Sequence, residues 1–226
     1  MKSNNSNYEE KVLNFHLTDR CNFKCKHCFV NMQQEKELSL DKCKSIIDNI
    51  SDMNDFTRIN LAGGEPLLVN HLQEVIDYIV KKGFRCSIIT NGSKLDESFI
   101  KKNKDKLSMI GISIDSMDDN INKKIGRKTI KNLNHLCRSI KENEITLKVN
   151  ICISKININC DFKEFLESVK PDRLKLFQLL PTPHSKESKY LTVCDKEFKT
   201  VCNQLSKYNP ICEDNDYMQK VYIPMK

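Results

Sequence analysis

The sequence predicts an α/β protein built on a parallel sheet, and three observations predict it. Short β-rich apolar runs alternate with longer stretches of helical period. Gly, Asn or Pro punctuate the joints, as at Gly63-Gly64, Asn91-Gly92 and Pro171. No fixed-length repeat or low-complexity linker breaks the rhythm. Strand, crossover helix and strand at this spacing mark βαβ units. With 226 residues, 39% of them hydrophobic, the chain can bury a core as one domain, or one domain with a small appendage.

In chain order the strands fall at 12–17, 57–62, 86–90, 109–115, 146–153 and 173–178, with helices at 40–53, 71–82 and 129–142 among the connections. Beyond about residue 181 the rhythm is lost: 191–207 reads as helix and 217–223 as one more short strand. The expected organisation is a flexible N-terminus, 1–11, a body, 12–180, and a C-terminal extension, 181–226, packed on that body.

Each strand has two unlike faces, because side chains alternate along it. Leu13, Phe15 and Leu17 oppose Asn14 and His16; Ile59 and Leu61 oppose Arg58, Asn60 and Ala62. Ile110, Ile112 and Ile114 oppose Gly111, Ser113 and Asp115; Leu147, Val149 and Ile151 oppose Lys148 and Asn150; Leu174 and Leu176 oppose Arg173 and Lys175. A filled (β/α) barrel carries bulky apolar residues on its inner faces as well. Here, aliphatic faces set against helices leave inward faces that line a polar cavity, and its Arg and Lys suit a negatively charged occupant. The alternative is a sheet covered on one side only, with its polar face wet.

Composition narrows the class. Lys and Arg number 37 against 30 Asp and Glu, a net charge of +7 that favours an anionic partner: nucleic acid, phosphorylated metabolite or acidic protein. No basic stretch interleaves with aromatics and Trp is absent, which argues against a nucleic-acid surface. No apolar run approaches the roughly 18 residues that span a bilayer, and residues 1–11 are polar. The expectation is a cytoplasmic monomer with no membrane attachment. Eleven cysteines, an odd count with no export signal, point to metal or redox chemistry rather than disulfides.

Cys21, Cys25 and Cys28 follow the first strand as C-x3-C-x2-C. Three thiolates on one short loop bind three irons of a 4Fe-4S cluster and leave the fourth open; equally, they bind zinc with His16 or His27 as fourth ligand. Gly63-Gly64-Glu65-Pro66 follows the second strand, at the carboxyl end where βα loops place ligand sites. With these two motifs the chain resembles the radical SAM enzymes. The resemblance implies a partial (β/α)6 barrel, a 4Fe-4S cluster and S-adenosylmethionine, whose amino group is held by Gly63, Gly64 and Glu65, the last adding an acceptor.

Within that superfamily the chain is similar to the viperins, from about residue 14 to 222. The segments that carry the likeness are Asn14-Phe15-His16-Leu17-Thr18, Arg58-Ile59-Asn60-Leu61-Ala62, Thr90-Asn91-Gly92-Ser93, Ile112-Ser113-Ile114-Asp115-Ser116 and Ile125-Gly126-Arg127. Leu147-Lys148-Val149-Asn150, Arg173-Leu174-Lys175-Leu176-Phe177-Gln178 and the more divergent Glu213-Asp214-Asn215 with Met218 and Tyr222 complete it. Many lie on the polar strand faces.

This resemblance implies a reductive radical reaction on a nucleoside triphosphate, CTP above UTP or GTP. The 5'-deoxyadenosyl radical removes hydrogen from C4', the 3'-hydroxyl is lost, and a further electron and proton give the 3'-deoxy-3',4'-didehydro nucleotide, a terminator of viral RNA chains. Asn91 and Ser113 would meet S-adenosylmethionine. Arg58, Arg127, Lys148, Arg173, Lys175 and Tyr222 would hold the triphosphate, and Asn14, Asn60 and Asn150 would sit near ribose or base. The electron would come from a reductase or a ferredoxin- or flavodoxin-type donor.

Two alternatives stand beside this reading: another radical SAM enzyme, modifying a peptide or activating a glycyl radical, and a non-catalytic iron-sulfur or zinc module. Cys43, Cys86, Cys137, Cys152, Cys160, Cys194, Cys202 and Cys212 form no second cluster motif and read as isolated buried thiols. His27 reads as a packing residue beside the cluster. Animal viperins begin with a membrane helix that this chain does not show, and family members commonly continue past the Tyr222 segment into a tail over the nucleotide, which bears on lid closure and base choice.

Overall fold

The computed structural model describes residues 10–30, 36–182, 185 and 187–216; the expected strand at 217–223, Tyr222 included, lies outside them. Seven parallel strands lie in sequence order: β1 Val12–His16, β2 Arg58–Ala62, β3 Arg85–Thr90, β4 Leu107–Ser113, β5 Thr146–Ile153, β6 Arg173–Gln178 and β7 Ile211–Glu213. The helices are α1 Leu40–Met53, α2 Leu72–Lys81, α3 Glu97–Lys102, α4 Asp119–Ile125, α5 Leu133–Glu142, α6 Lys163–Val169, α7 Ser188–Leu191 and α8 Asp195–Gln204, with a 3-10 turn at Pro66–Leu68. The six strands read from the sequence are present, and the C-terminal region adds β7 beside β6.

The aliphatic faces build the core as expected. Ile59, Leu61, Ile110, Ile112, Leu147, Val149, Ile151 and Leu176 are completely buried, packed in one cluster with Ile47 of α1, Ile76 of α2, Ile140 of α5 and Leu166 of α6. The stretch 191–207 is not one helix: Thr192, in extended backbone, separates α7 from α8. Helices α3, α4 and α6 are six or seven residues long, too short for a clear apolar period; caps define two of them, Asp96 accepting from Phe99 N–H and Asp118 from Asn120 and Ile121 N–H.

The sheet curls into a half-barrel. Flat, β1 and β6 would stand five strand spacings apart, about 24 Å. Instead, Thr182, just past β6, donates through Oγ1 to Cys28 O at 3.4 Å in the loop after β1, and the loop after α4 reaches the same segment through Lys24 N–H donating to Gly126 O at 3.1 Å. The carboxyl ends of the strands therefore converge on one mouth, with the polar faces inside.

Candidate active site

The loop leaving β1 carries Cys21, Cys25 and Cys28, all half-buried free thiols. The turn after β2 latches its start: Gly64 N–H donates to Thr18 O at 2.6 Å and Glu65 N–H to Arg20 O at 2.8 Å. The end of α4 latches its middle, with Lys26 N–H donating to Ile125 O at 2.9 Å beside the Lys24 bond. Glycine is required at both contacts. A Cβ on Gly64 would stand 2.1 Å from Arg20 O, and one on Gly126, which ends α4 at φ +93°, would stand 2.0 Å from Lys24 O.

Burial pushes the Cys25 thiol up to about 12 and raises that of Cys28, so a metal that binds them displaces protons. Of the two histidines beside the loop, His16 meets Phe29 edge-on with ring centroids 5.9 Å apart, and His27 Nε2 lies 3.2 Å from Asp115 Oδ2. Among the described residues no three Cys, His, Asp or Glu side chains are drawn to one point. Three thiols on one short loop, with Cys21 and Cys28 both close enough to act on Cys25, suit three corners of a 4Fe-4S cluster.

Glu65 also has a structural task. It is completely buried, and its oxygens are taken: Oε1 accepts from Thr90 Oγ1 at 2.7 Å and Leu67 N–H at 3.1 Å, Oε2 from Asn91 N–H at 2.7 Å. Burial pushes its carboxyl up, against these hydrogen bonds. Glu65 thus ties the turn after β2 to the end of β3 and positions Asn91, whose Nδ2 donates to Asn22 Oδ1 at 2.9 Å and faces Cys21 Sγ at 3.7 Å. Asn91 and Ser113 line one small cavity beside the cysteine loop, together with Phe23, Asp115 and Arg127.

Arg127, expected among the triphosphate ligands, has its backbone at this mouth. The Gly126 latch folds its backbone onto the cysteine loop, and its guanidinium donates from Nε to Asp115 Oδ2 and from Nη1 to Ser113 O at 3.2 Å. Asp115 is buried, which by itself raises a carboxyl, but Arg127 and His27 outweigh burial and hold it well below the usual range. Its Oδ1 also accepts from Cys152 N–H at 3.0 Å. His27 is therefore more than a packing residue: it pairs with Asp115, and its Nδ1 is buried with no hydrogen-bond partner among the described residues.

Below the mouth lie rows of inward side chains. Strand register sets Gly111, Lys148 and Arg173 abreast and, two residues along, Ser113, Asn150 and Lys175. Across the cavity Asn14, Asn60 and Ser87 are abreast; Asn60 Nδ2 donates to Asn14 Oδ1 and its Oδ1 accepts from Ser87 Oγ, both at 2.8 Å. Burial, and then the charge of Lys175, pull Lys148 down to about 8, with Arg58 and Arg173 adding to the effect and Glu213 opposing it. Arg58, Lys148, Arg173 and Lys175 thus form one electrostatic group. Arg58 Nε and Asn150 Oδ1 are buried without a partner among the described residues, a donor and an acceptor left for an occupant.

Two acids in this group carried no role in the sequence reading. Glu10 pairs with Arg58 at 3.2 Å and Arg85 at 2.7 Å, and Glu213 of β7 pairs with Lys175, whose ammonium also lies 4.9 Å over the Phe177 ring. Glu10 sits in no motif; Glu213 opens the divergent Glu213-Asp214-Asn215 segment, where the resemblance gives it no role. The cysteines outside the motif divide: Cys43, Cys86 and Cys137 are buried as expected, Cys160 and Cys202 are half-buried, and Cys194 and Cys212 are exposed. Cys152 shares the inward face of β5 with Lys148 and Asn150.

Residues 15–169 match the family model of the Radical SAM superfamily. The chain is 34% identical over 227 residues to the S-adenosylmethionine-dependent nucleotide dehydratase of Flammeovirga pacifica, covering 93% of this chain and 78% of that protein. It is 30% identical over 240 residues to the protein of the same name from Psychrobacter lutiphocae, covering 95% and 79%. Streptococcus suis SuiB, crystallised with S-adenosylmethionine, matches with a TM-score of 0.73 over 91% of this chain and 50% of that one; at 15% identity this concerns the fold alone. The chain belongs to the radical SAM superfamily, enzymes of a 4Fe-4S cluster and S-adenosylmethionine, and within it to the family of S-adenosylmethionine-dependent nucleotide dehydratases.

Proposed function

We propose that this enzyme converts a nucleoside triphosphate, CTP ahead of UTP or GTP, to its 3'-deoxy-3',4'-didehydro form, an antiviral RNA chain terminator. The observation that carries the reading is the group of four inward cations, Arg58, Lys148, Arg173 and Lys175, below a mouth that holds three thiols. A triphosphate brings about four negative charges at neutral pH, which convergent Arg and Lys offset by charge-assisted hydrogen bonds. The names of the curated relatives point the same way.

In this reading Cys21, Cys25 and Cys28 hold three irons, and Asn91, Ser113 and Arg127 line the place of S-adenosylmethionine. Cluster and cosubstrate, when bound, supply the 5'-deoxyadenosyl radical that takes hydrogen from C4'. The chain supplies orientation. The cations fix the phosphates below the mouth, the Asn14–Asn60–Ser87 chain presents amide and hydroxyl groups to the sugar or base, and Asn150 Oδ1 accepts from a substrate donor. Tyr222 is proposed as a further triphosphate ligand.

Deuterium tests this directly. CTP carrying deuterium at C4' should transfer one deuterium to the 5'-deoxyadenosine formed, read by mass spectrometry. Unlabelled 5'-deoxyadenosine formed alongside unchanged CTP would contradict the proposal, and favour another substrate such as a peptide.

A further inference from the structure

Cys202 of α8 and Cys212 of β7 are brought together where the chain turns back at the edge of the sheet. It leaves α8 through a 3-10 turn at Ser206–Tyr208, reverses at Asn209, whose φ is +48°, and enters β7 after Pro210. Register sets Cys212 abreast of Leu176 and Glu213 abreast of Phe177. Alternation therefore sends Cys212 to the aliphatic face, where α8 packs on β6, and Glu213 to the cavity face, where it pairs with Lys175. Cys202, half-buried, packs against the apolar core from the α8 side, and its thiol lies within hydrogen-bonding reach of the Cys212 thiol.

The two thiols are unequal. Cys212 is exposed on the edge strand, whereas burial, and then the neighbouring Cys212 thiol, hold the proton on Cys202. The exposed thiol is the one that a soluble disulfide reaches first, and its neighbour then completes the exchange. Cys194, also exposed, is placed differently: it caps the start of α8, about 12 Å along the helix axis from Cys202.

We propose that Cys202 and Cys212 are a redox-sensitive pair that closes to a disulfide under an oxidising glutathione poise and pins β7 to α8. The inference rests on the thiols and the inward cations, not on the identity of the nucleotide. The Cys212 thiolate attacks a sulfur of glutathione disulfide, releasing one glutathione and leaving a mixed disulfide. The Cys202 thiolate then attacks the Cys212 sulfur and releases the second glutathione. The protein thiols give up two electrons and two protons, and the two glutathione thiols receive them. With three residues at the sheet edge, β7 can give way when its thiol is free. For Lys175 to turn to an anion in the cavity, Glu213 must yield it, and a pinned β7 holds Glu213 in place. Closure therefore lowers the affinity of the cavity for polyphosphate.

The test equilibrates the cluster-loaded enzyme, without oxygen, in glutathione buffers of set thiol-to-disulfide ratio. Alkylation of the remaining thiols and peptide mass spectrometry should show one bond, Cys202 to Cys212, which dithiothreitol reopens. Cys202→Ser should stop at a glutathione adduct on Cys212, and Cys194 should carry only such an adduct in either protein. Amide hydrogen exchange across Ile211–Glu213 should slow about tenfold or more on closure. Calorimetric affinity for inorganic tripolyphosphate should fall about threefold or more, and Glu213→Gln should remove the difference between the two states. A glutathione adduct persisting on wild-type Cys212, or Cys202 bonded to Cys194 instead, would overturn the pairing. Unchanged exchange in the bonded protein would overturn the pinning, and equal tripolyphosphate affinity in the two states would overturn its link to the cavity.

Discussion

Asp115 and Arg127 form a buried ion pair beneath the cysteine loop, and the same carboxylate faces His27 and the backbone of Cys152. One acid therefore joins the ends of β4 and β5, the metal loop and the arm after α4. Asp115→Ala leaves a buried guanidinium unpaired and should cost about 3–5 kcal/mol in a denaturant titration; unchanged stability would contradict this arrangement. The sign in pH follows from the depressed carboxyl. Its contribution is fully present above the unfolded value of about 4 and is lost as pH falls toward the lower folded value. Wild type should thus lose stability on acidification below about pH 4 more steeply than Asp115→Asn.

Gly64 bears on the metal loop through distance alone. Alanine there must displace the Arg20 carbonyl, because the neighbour is backbone and cannot rotate away. Gly64→Ala should lower the iron and sulfide retained after anaerobic reconstitution, together with affinity for S-adenosylmethionine. Full iron content and wild-type affinity would show that the latch is dispensable.

For the cation group, Lys148→Ala or Lys175→Ala should weaken triphosphate binding by about 1.5–3 kcal/mol, the range for a charged hydrogen bond. Calorimetry with CTP and with cytidine separates the contributions, since the nucleoside should bind the variants and wild type alike. S-adenosylmethionine cleavage without nucleotide should persist. Loss of both functions together would mean a folding or cofactor defect.

Lys148 also sets a pH dependence. Its pKa of about 8 in the free protein means that it is charged below that pH and neutral above it. Phosphate favours the ammonium, so binding above pH 8 takes up a proton, and affinity should fall by up to about tenfold per unit of rising pH. Lys148→Arg, charged throughout, should flatten the profile. A flat wild-type profile between pH 7.5 and 9.5 would place Lys148 away from the phosphates.

What was legible in the sequence was mostly what period and parity encode. Alternation along β2, β4, β5 and β6 separated aliphatic from polar faces, and the polar faces line the cavity because every strand is parallel and the sheet curls. What period and parity do not encode needs the curl itself. Arg127 enters with the other cations through the family resemblance, and only the Gly126 latch shows that its backbone sits at the mouth. Glu65 lies in a motif that suggests contact with a cosubstrate, while its bond to Asn91 N–H, a brace between two strand ends, carries no sequence signal. Glu10 and Glu213 pair with cations from outside the central strands, and no spacing announces a partner so far along the chain.

The central claim, radical chemistry on a nucleotide held by these cations, is tested most directly by product analysis. Anaerobically reconstituted enzyme with S-adenosylmethionine, reductant and an equal mixture of the four ribonucleoside triphosphates should yield one 3'-deoxy-3',4'-didehydro nucleotide, that of cytidine, in step with 5'-deoxyadenosine. Continued 5'-deoxyadenosine formation while all four nucleotides remain intact would contradict it.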